Sequence, residues 1–374
     1  MKRWWIMLAL ATFMVSGRTM SVLGQQSPGL KALIEGARKE GRLDVMYPSS
    51  MGEKGARELS AAFNKRFGLN IQVNADLAGQ ESQKFNQAVV ETKTGIPPTF
   101  DLMQGENDNQ IILWDAGGAE PVEKWEALLG EVALDAHKVR QKVSPLILAG
   151  YGFLWSTRTT ALLYNPKVIP EKELPRTWKE MGEVKYRSAF SVPPWIGPAL
   201  MGILKYDREE WLEVVRSWGR NKPQILTFRA GVERMLLGDL KFLYGNAGIY
   251  FEHKAKDPNA PIGLRFFDDL TTVREVMYVV RKGARNPNAA KLFSLWATGA
   301  EANAIISRHS PDVENVVLGT GHATEMILKT FKDRKIEPVS WFDSLETLQK
   351  FRWLETQGGK DYSQAIARAQ REGK

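Results

Sequence analysis

The feature that most constrains the fold is an alternation of short apolar runs, polar loops and amphipathic helices along the chain. Residues 42–47 alternate enough to predict a short strand, and residues 48–52 form a polar loop. A helical stripe that includes Ala56 and Leu59 follows, and residues 69–73 predict the next strand. Strand, loop, helix and strand in succession predict a βαβ unit with parallel strands, and therefore an α/β fold.

The same strand–loop–helix unit recurs near residues 188–205, so the chain carries two such sets. Between them lie two runs rich in aromatic and β-branched residues, YGFLWSTR (151–158) and TALLYNP (160–166), which we interpret as a crossing between two lobes. The length of 374 residues also favours two lobes over one ordinary domain.

Helix ends have clear local signals. Ser27 can cap the first helix with Pro28 in its first turn, and Gly41 ends it. Asp207 and Glu210 have the spacing of a capping box. Helical stripes and a Pro-x-Thr-Trp turn assign four tryptophans to the core: Trp178, Trp211, Trp218 and Trp296.

The N-terminus has the pattern of a signal peptide. Lys2 and Arg3 precede an apolar run over residues 4–15, and Gly24 is a suitable small residue for cleavage, which predicts a mature start at Gln25. The run is shorter than the ~20 residues that a membrane-spanning helix needs.

Composition narrows the class of function. The chain has no cysteine, which excludes disulfides, thiolate metal sites and a lipid-anchored cleavage site. Loss of Lys2, Arg3 and Arg18 with the signal lowers the formal net charge from +8 to +5, and the basic residues are mixed with acidic ones, so nucleic acid is not an expected partner. The four histidines do not form a zinc motif and no Gly-x-Ser-x-Gly elbow occurs, which disfavours an enzyme.

Five segments in order resemble the ferric-type branch of the extracellular solute-binding proteins of ABC transporters. They are LDVMYPSSMGEKGA after a helix ending ARKEG, FDLMQGE (100–106), ALLYNPKVIPEKELPRTWKEM (161–181), GVERMLLGDLKF (231–242) and VVRKGARNPNAAKLFSLWATGAEAN (279–303). The resemblance implies a periplasmic-binding-protein fold of the second topological type, with two α/β lobes and two crossover strands forming a hinge. On this fold we expect residues 25–150 with 261–310 to form one lobe, and 151–260 with 311–374 the other.

The resemblance also implies a ligand set, which this chain matches only in part. The family's ferric-binding member uses a His, a Glu and two adjacent Tyr. Met51 stands at the His position, Glu106 at the Glu position, and the tyrosine pair is absent because the region runs from Tyr244 to Tyr250 with no adjacent tyrosines. A thioether is a poor ligand for Fe³⁺, so we expect an organic, anionic solute instead of a directly coordinated ferric ion.

The residues themselves suggest where such a solute binds. Ser49, Ser50 and Gly52 lie between a strand and a helix N-terminus, where hydroxyl and amide groups can hold an anion. Arg229 and Arg158 are candidates to grip it, and Arg229 is preferred because it lies at a predicted strand end. The remaining predicted ligand-binding residues are Met51, Glu106, Trp155, Trp195, Ile196, Gly197 and Tyr250, with Trp155 equally compatible with the core.

The resulting hypothesis is a periplasmic, monomeric, non-catalytic protein without a cofactor. It would capture a small solute between its lobes and deliver it to an ABC permease at the inner membrane. Two alternatives are an exported α/β enzyme that acts on small solutes and a ligand sensor that is presented to a membrane receptor.

Overall fold

The computed structural model describes residues 26–77, 79–140 and 150–373, so the predicted signal segment lies outside the described residues. In these ranges the helices are α1 Pro28–Glu40, α2 Gly52–Phe67, α3 Glu81–Thr94, α4 Asn107–Asp115, α5 Trp125–Val132, α6 Leu134–Arg140, α7 Gly197–Leu200, α8 Arg208–Arg220, α9 Phe228–Leu237, α10 Gly248–Lys256, α11 Pro287–Ala297, α12 Ala300–His309, α13 Thr324–Arg334, α14 Leu345–Leu354 and α15 Gln357–Glu372. The strands are β1 Arg42–Met46, β2 Gln72–Asp76, β3 Leu102–Glu106, β4 Gly152–Tyr164, β5 Phe190–Val192, β6 Gln224–Ile225, β7 Phe242–Asn246, β8 Gly263–Arg265 and β9 Val273–Val280. Of the helices within these ranges, none is long and apolar enough to cross a membrane.

The strands form a mixed sheet in the order β2-β1-β3-β9-β4-β7-β5-β6, with β8 also paired to β4. The outer pairs are parallel, β1 with β2 and β3 at one end, and β5 with β6 and β7 at the other. The central pairs are antiparallel and involve β4 and β9. This arrangement confirms the predicted α/β class and the two-lobed fold, because each parallel set with its helices forms one lobe.

Strands β4 and β9 are the two crossover strands that join the lobes. The first part of β4 pairs with β9 from Gly152 to Thr159, and its last part pairs with β7 and β8 from Thr160 to Tyr164. The two β-rich runs predicted from the sequence are therefore one continuous strand of 13 residues, with a bulge between Leu154 and Ser156. A strand that belongs to both lobes can bend at such a bulge, as a hinge requires.

The lobe boundaries remain a prediction. Strand β8 pairs with the same part of β4 as β7 does, residues 162–164, on the opposite edge of β4. This pairing favours a boundary just before β9 over the expected one at residue 261.

The predicted core tryptophans are confirmed, and three of them form one cluster in the second lobe. Trp178 stacks on Phe267 with ring centroids 4.1 Å apart and contacts Trp211 and Trp218 at 6.0 and 5.3 Å. A Cβ on Gly202 would stand 1.8 Å from the Trp211 ring, so only glycine fits beneath that indole. Trp296 is 1% exposed and packs in the first lobe.

Local signals predict some helix ends correctly. The Ser27 hydroxyl accepts a hydrogen bond from the Leu30 amide at 3.2 Å, and Gly41 ends α1 at φ 67°, in the left-handed region that glycine adopts freely. The capping box at Asp207 is wrong: Asp207 is the N-cap of α8, but within the described residues its side chain makes no capping hydrogen bond. The strand predicted at residues 69–73 begins three residues later, at Gln72.

Candidate ligand-binding cleft

A cleft of about 710 Å³ lies where elements of both lobes meet the crossover strands. The carboxyl ends of β3 and β7 open to it, as expected for ligand sites of open α/β sheets. Its lining residues are Ser49, Gln80, Glu81, Ser82, Glu106, Asp108, Asn109, Arg158, Trp195, Gly197, Pro198, Phe228, Asn246 and Arg274.

The wall from the first lobe is acidic. It is built at the starts of α3 and α4 and includes Glu81, Glu106 and Asp108. The Glu81 carboxylate accepts hydrogen bonds from the Glu106 amide and from the Asn109 side-chain amide, both at 2.7 Å. These two bonds fix α3 against the start of α4 and hold the carboxylates close together.

Two arginines from the crossover strands form the floor of the cleft. Arg158 on β4 and Arg274 on β9 are directly opposite each other in the antiparallel pairing. Glu106 lies between them: Arg274 donates a short hydrogen bond to its carboxylate, and the Arg158 Nε lies 3.5 Å from it. Arg274 also donates to Asn246 Oδ1 at 2.8 Å, and Arg158 lies 3.5 Å from Asp312. Glu106 is thus the counterion that lets two like charges face each other.

The surroundings of Glu81 and Asp108, two carboxyl groups of the acidic wall, disfavour their ionised forms. Burial, and then the charge of Glu106, raises the pKa of Glu81 to about 7. The same two causes raise the pKa of Asp108, against a smaller opposing effect of Arg274. At neutral pH, with nothing bound in the cleft, Glu81 is therefore divided between its protonated and ionised forms.

The wall from the second lobe is aromatic. Trp195, next to the start of α7, meets Phe228 of α9 edge to face, with ring centroids 5.0 Å apart and planes at 84°. Trp195 is 42% exposed, which is high for a tryptophan that packs against another ring. This edge-to-face pair gives the cleft an apolar, aromatic wall.

Five residues that the sequence suggested as ligand-binding candidates line this cleft: Ser49, Glu106, Arg158, Trp195 and Gly197. The side chains of the neighbouring predicted residues Ser50 and Ile196 make contacts outside the cleft. The Ser50 hydroxyl donates to Ser310 at 3.1 Å, and Ile196 packs against the core. Gly52 has φ 61° at the start of α2 and, among the described residues, does not line the cleft.

The side chains of Met51 and Trp155 lie in the core and offer no surface to a ligand. Met51 is 3% exposed, and Trp155 is fully buried with its ring 5.8 Å from that of Tyr278. Trp155 is buried because it lies in β4 on the side that packs on α11 and α12, where Asn303 binds its carbonyl oxygen. For Trp155 the structure thus favours the core interpretation.

Arg229 and Tyr250 are also outside the cleft lining of the described residues. Arg229 is exposed on α9, one residue after Phe228, so its side chain leaves the helix in a different direction. Tyr250 on α10 packs edge to face on Phe251 with ring centroids 5.1 Å apart. Whether these two side chains face the cleft depends on the rotation of α9 and α10 about their axes, which the sequence alone does not determine.

Three charged cleft residues were not predicted from the sequence: Glu81, Asp108 and Arg274. Arg274 carried a usable signal, since it interrupts the apolar run VREVMYVV together with Glu275. A charged pair inside a strand that is otherwise apolar indicates a polar partner in the folded protein. Glu81 and Asp108 gave no such signal because both lie in the first turn of a helix, where acidic residues are common since they stabilise the helix dipole.

Comparisons with known proteins agree with this architecture. Residues 58–312 match the family model described as bacterial extracellular solute-binding protein. The chain has no match among curated proteins.

Solved structures share the fold at low sequence identity. The FutA (IdiA) protein of Trichodesmium, in complex with iron and citrate, is 15% identical with a TM-score of 0.65, over 88% of this chain and 99% of that one. Iron-bound HitA from Pseudomonas aeruginosa is 19% identical with a TM-score of 0.56, over 79% and 99%. PotD, the spermidine/putrescine ABC transporter substrate-binding protein from Streptococcus pneumoniae, in complex with calcium and HEPES, is 13% identical with a TM-score of 0.57, over 89% and 99%. Because the family model covers more than half of its length, the chain belongs to the bacterial extracellular solute-binding proteins.

Proposed function

We propose that the protein captures a small organic solute with an anionic group in the cleft between its lobes, closes around it and delivers it to an ABC permease at the inner membrane. The observation that carries the proposal is the cleft itself, which is large enough for a small molecule and is lined from both lobes and from both crossover strands.

Arg158 is the group best suited to hold the anionic part of the solute. Its contacts with Glu106 and Asp312 are both 3.5 Å long, at the outer limit of a hydrogen bond. A carboxylate or phosphonate in the cleft can make shorter, bidentate bonds to the same guanidinium. Arg274 lines the same cleft, where Glu106 and Asn246 hold its guanidinium group in place.

The related structures do not decide the ligand. One holds iron with citrate, and another is named for spermidine and putrescine, so the shared fold accommodates solutes of opposite charge. In this chain Met51 packs in the core and Tyr250 packs on Phe251. Neither side chain supplies an oxygen ligand to the cleft, which supports an organic solute over directly coordinated iron.

A solute that touches both walls favours the closed form by the difference between its affinities for the closed and open forms. We therefore expect its addition to lower the radius of gyration in small-angle scattering and to raise the melting temperature. The screen should contain dicarboxylates, tricarboxylates, phosphonates, amino acids and polyamines, next to native mass spectrometry of the protein as isolated from the periplasm.

Arg158→Gln tests the position of the site. Loss of the charge-assisted bond should weaken binding of any solute found in that screen by roughly tenfold to a hundredfold. The matched control is Arg229→Gln, which removes the same charge from an exposed position outside the lining. An unchanged radius of gyration with every solute, with no small molecule carried through purification, would contradict the proposed function. Equal losses in the two variants would contradict only the role of Arg158.

A further inference from the structure

The cleft lining differs in charge from the chain as a whole. The full sequence has a formal net charge of +8, with 51 Lys and Arg residues against 43 Asp and Glu. The lining of the cleft has three carboxylates and two guanidinium groups, and among the described residues it has no lysine. A fourth carboxylate, that of Asp312, lies 3.5 Å from Arg158 just outside the lining. A basic protein thus has an acidic binding cleft.

The arginines do not neutralise all of this negative charge. Both guanidinium groups are directed at Glu106, and their further contacts are with Asp312 and Asn246. Within the described part of the chain, neither Glu81 nor Asp108 lies within salt-bridge distance of a basic side chain. Two carboxyl groups in the cleft therefore have no ion-pair partner among the basic side chains of the described residues.

The opposite wall supplies a second contact that suits a cation. Trp195, which is 42% exposed and packs against Phe228, lines the same cleft as Glu81 and Asp108. The electron-rich face of an indole attracts organic cations, and the attraction grows when water is excluded. Closure of the lobes would bring this ring toward the acidic wall, because the two walls belong to different lobes.

We propose that the solute also carries an organic cationic group, an ammonium or a quaternary amine, which docks between Glu81, Asp108 and Trp195. This inference rests on the proposed function and deepens it. With the anionic group at Arg158, the solute is zwitterionic, and its two charged groups bind to different residues of one cleft.

Two matched pairs of probes test the cationic group by isothermal titration calorimetry. Glycine betaine and 3,3-dimethylbutanoate have the same shape but differ in one positive charge, and 5-aminopentanoate and pentanoate differ by one ammonium. We expect the cationic member of at least one pair to bind, and to bind at least roughly tenfold more tightly than its partner, as the loss of one charge-assisted contact implies.

Two isosteric variants connect that preference to the acidic wall. Glu81→Gln and Asp108→Asn should each reduce the affinity for the cationic probe by roughly tenfold to a hundredfold. Glu355→Gln, at an exposed position on another face, is the matched control and should bind as the unmodified protein does. Melting temperatures of all three variants establish that they are folded.

The direction of proton transfer gives an independent readout. A cation beside Glu81 stabilises its carboxylate and lowers its pKa from about 7, so binding near pH 7 should release protons. An anion alone would raise that pKa and take protons up. Binding heats measured in two buffers of different ionisation enthalpy distinguish proton release from proton uptake. The Glu81→Gln variant should not release protons on binding, although Glu106, Asp108 and Arg158 still surround residue 81.

This inference is overturned if neither cationic probe binds or if the two members of both pairs bind equally tightly. It is also overturned if binding takes protons up, or if both acid variants bind the cationic probe with full affinity. The proposed function is judged separately. If a dicarboxylate or phosphonate without a cationic group closes the lobes, the proposed function stands and the cationic group does not.

Discussion

Glu314 is a buried carboxyl group beside the crossover strand β4. Its carboxylate accepts a short hydrogen bond from the Thr159 amide, and its second oxygen has no partner among the described residues. Its backbone carbonyl accepts from the Thr157 amide at 2.6 Å and from the Ser156 hydroxyl at 2.9 Å. Burial raises the pKa of Glu314 to about 8, although bonds from Thr159 and the charge of Arg158 oppose the rise.

This pKa predicts a dependence of stability on pH. An unfolded Glu has a pKa of about 4.3, so between pH 4.3 and 8 the folded state holds a proton that the unfolded state has lost. The contribution of Glu314 is thus fully present below pH 4.3 and is lost as the pH rises through about 8, by at most about 1.4 kcal/mol per pH unit.

Glu314→Gln replaces the titrating group with a neutral one that can still accept from Thr159. Its melting temperature should fall less between pH 5 and pH 8 than that of the unmodified protein. Other buried acids, such as Glu275 with a pKa of about 7, contribute equally to both curves, so the difference isolates Glu314. Parallel curves would show that Glu314 is ionised in the folded state.

Among single residues, the sequence identifies those cleft positions that follow local rules. Ser49 follows β1 and Glu106 ends β3, while Trp195 precedes α7 and Gly197 begins it, and all four line the cleft. The positions of Arg229 and Tyr250 depend on which face of a helix points inward. That face is decided by packing with segments distant in sequence, which no local pattern contains.

At the level of secondary-structure elements, the helix caps show what residue type and spacing in the sequence can predict about an N-cap. Ser27 and Asp207 both hold N-cap positions, and both are residue types favoured there. Only the Ser27 side chain makes the capping bond in the structure. The spacing of Asp207 and Glu210 is compatible with a capping box but does not set the side-chain rotamers that close one.

These two caps predict different costs of truncation. Ser27→Ala should lower the free energy of unfolding by about 1 kcal/mol, because the Leu30 amide loses its acceptor. Asp207→Ala should cost less, since it removes no capping hydrogen bond and only a favourable interaction with the helix dipole. Thermal unfolding of both variants in one buffer measures the difference, and a larger loss for Asp207→Ala would contradict it.

The ends of the strands were predicted less accurately than their presence. The apolar residues Leu69 and Ile71 are the reason that a strand was predicted at 69–73, and the structure buries both. The actual strand β2 is an edge strand whose residues are mostly half-buried, so it lacks the apolar run that marks a central strand. In β4 the two predicted runs, 151–158 and 160–166, left out Thr159 between them, although the structure buries Thr159 and pairs it with Val273 of β9.

For the whole molecule, the location of the protein is partly established. The family is extracellular, so the chain acts outside the cytoplasm. The route remains a prediction, because the signal pattern at Lys2, Arg3 and Gly24 lies outside the described residues.

Export predicts a shorter mature protein. Intact-mass measurement of the periplasmic fraction should give a chain that begins at or near Gln25. A gene that encodes the chain from Gln25 onward should leave the protein in the cytoplasm, as a control. Full-length chain in the cytosol or in the membrane, with none in the periplasm, would contradict the prediction.

The pairing of Arg158 with Arg274 across the crossover strands has an evolutionary consequence. Glu106 is the carboxylate that both guanidinium groups share. Replacement of this residue by a neutral one would expose two adjacent positive groups at the centre of the cleft, and the scaffold would then suit a doubly charged anion. A single substitution would thus separate the proposed preference for a zwitterion from a preference for a dianion. A lineage could therefore change the solute that it binds without rebuilding the crossover strands or the lobes.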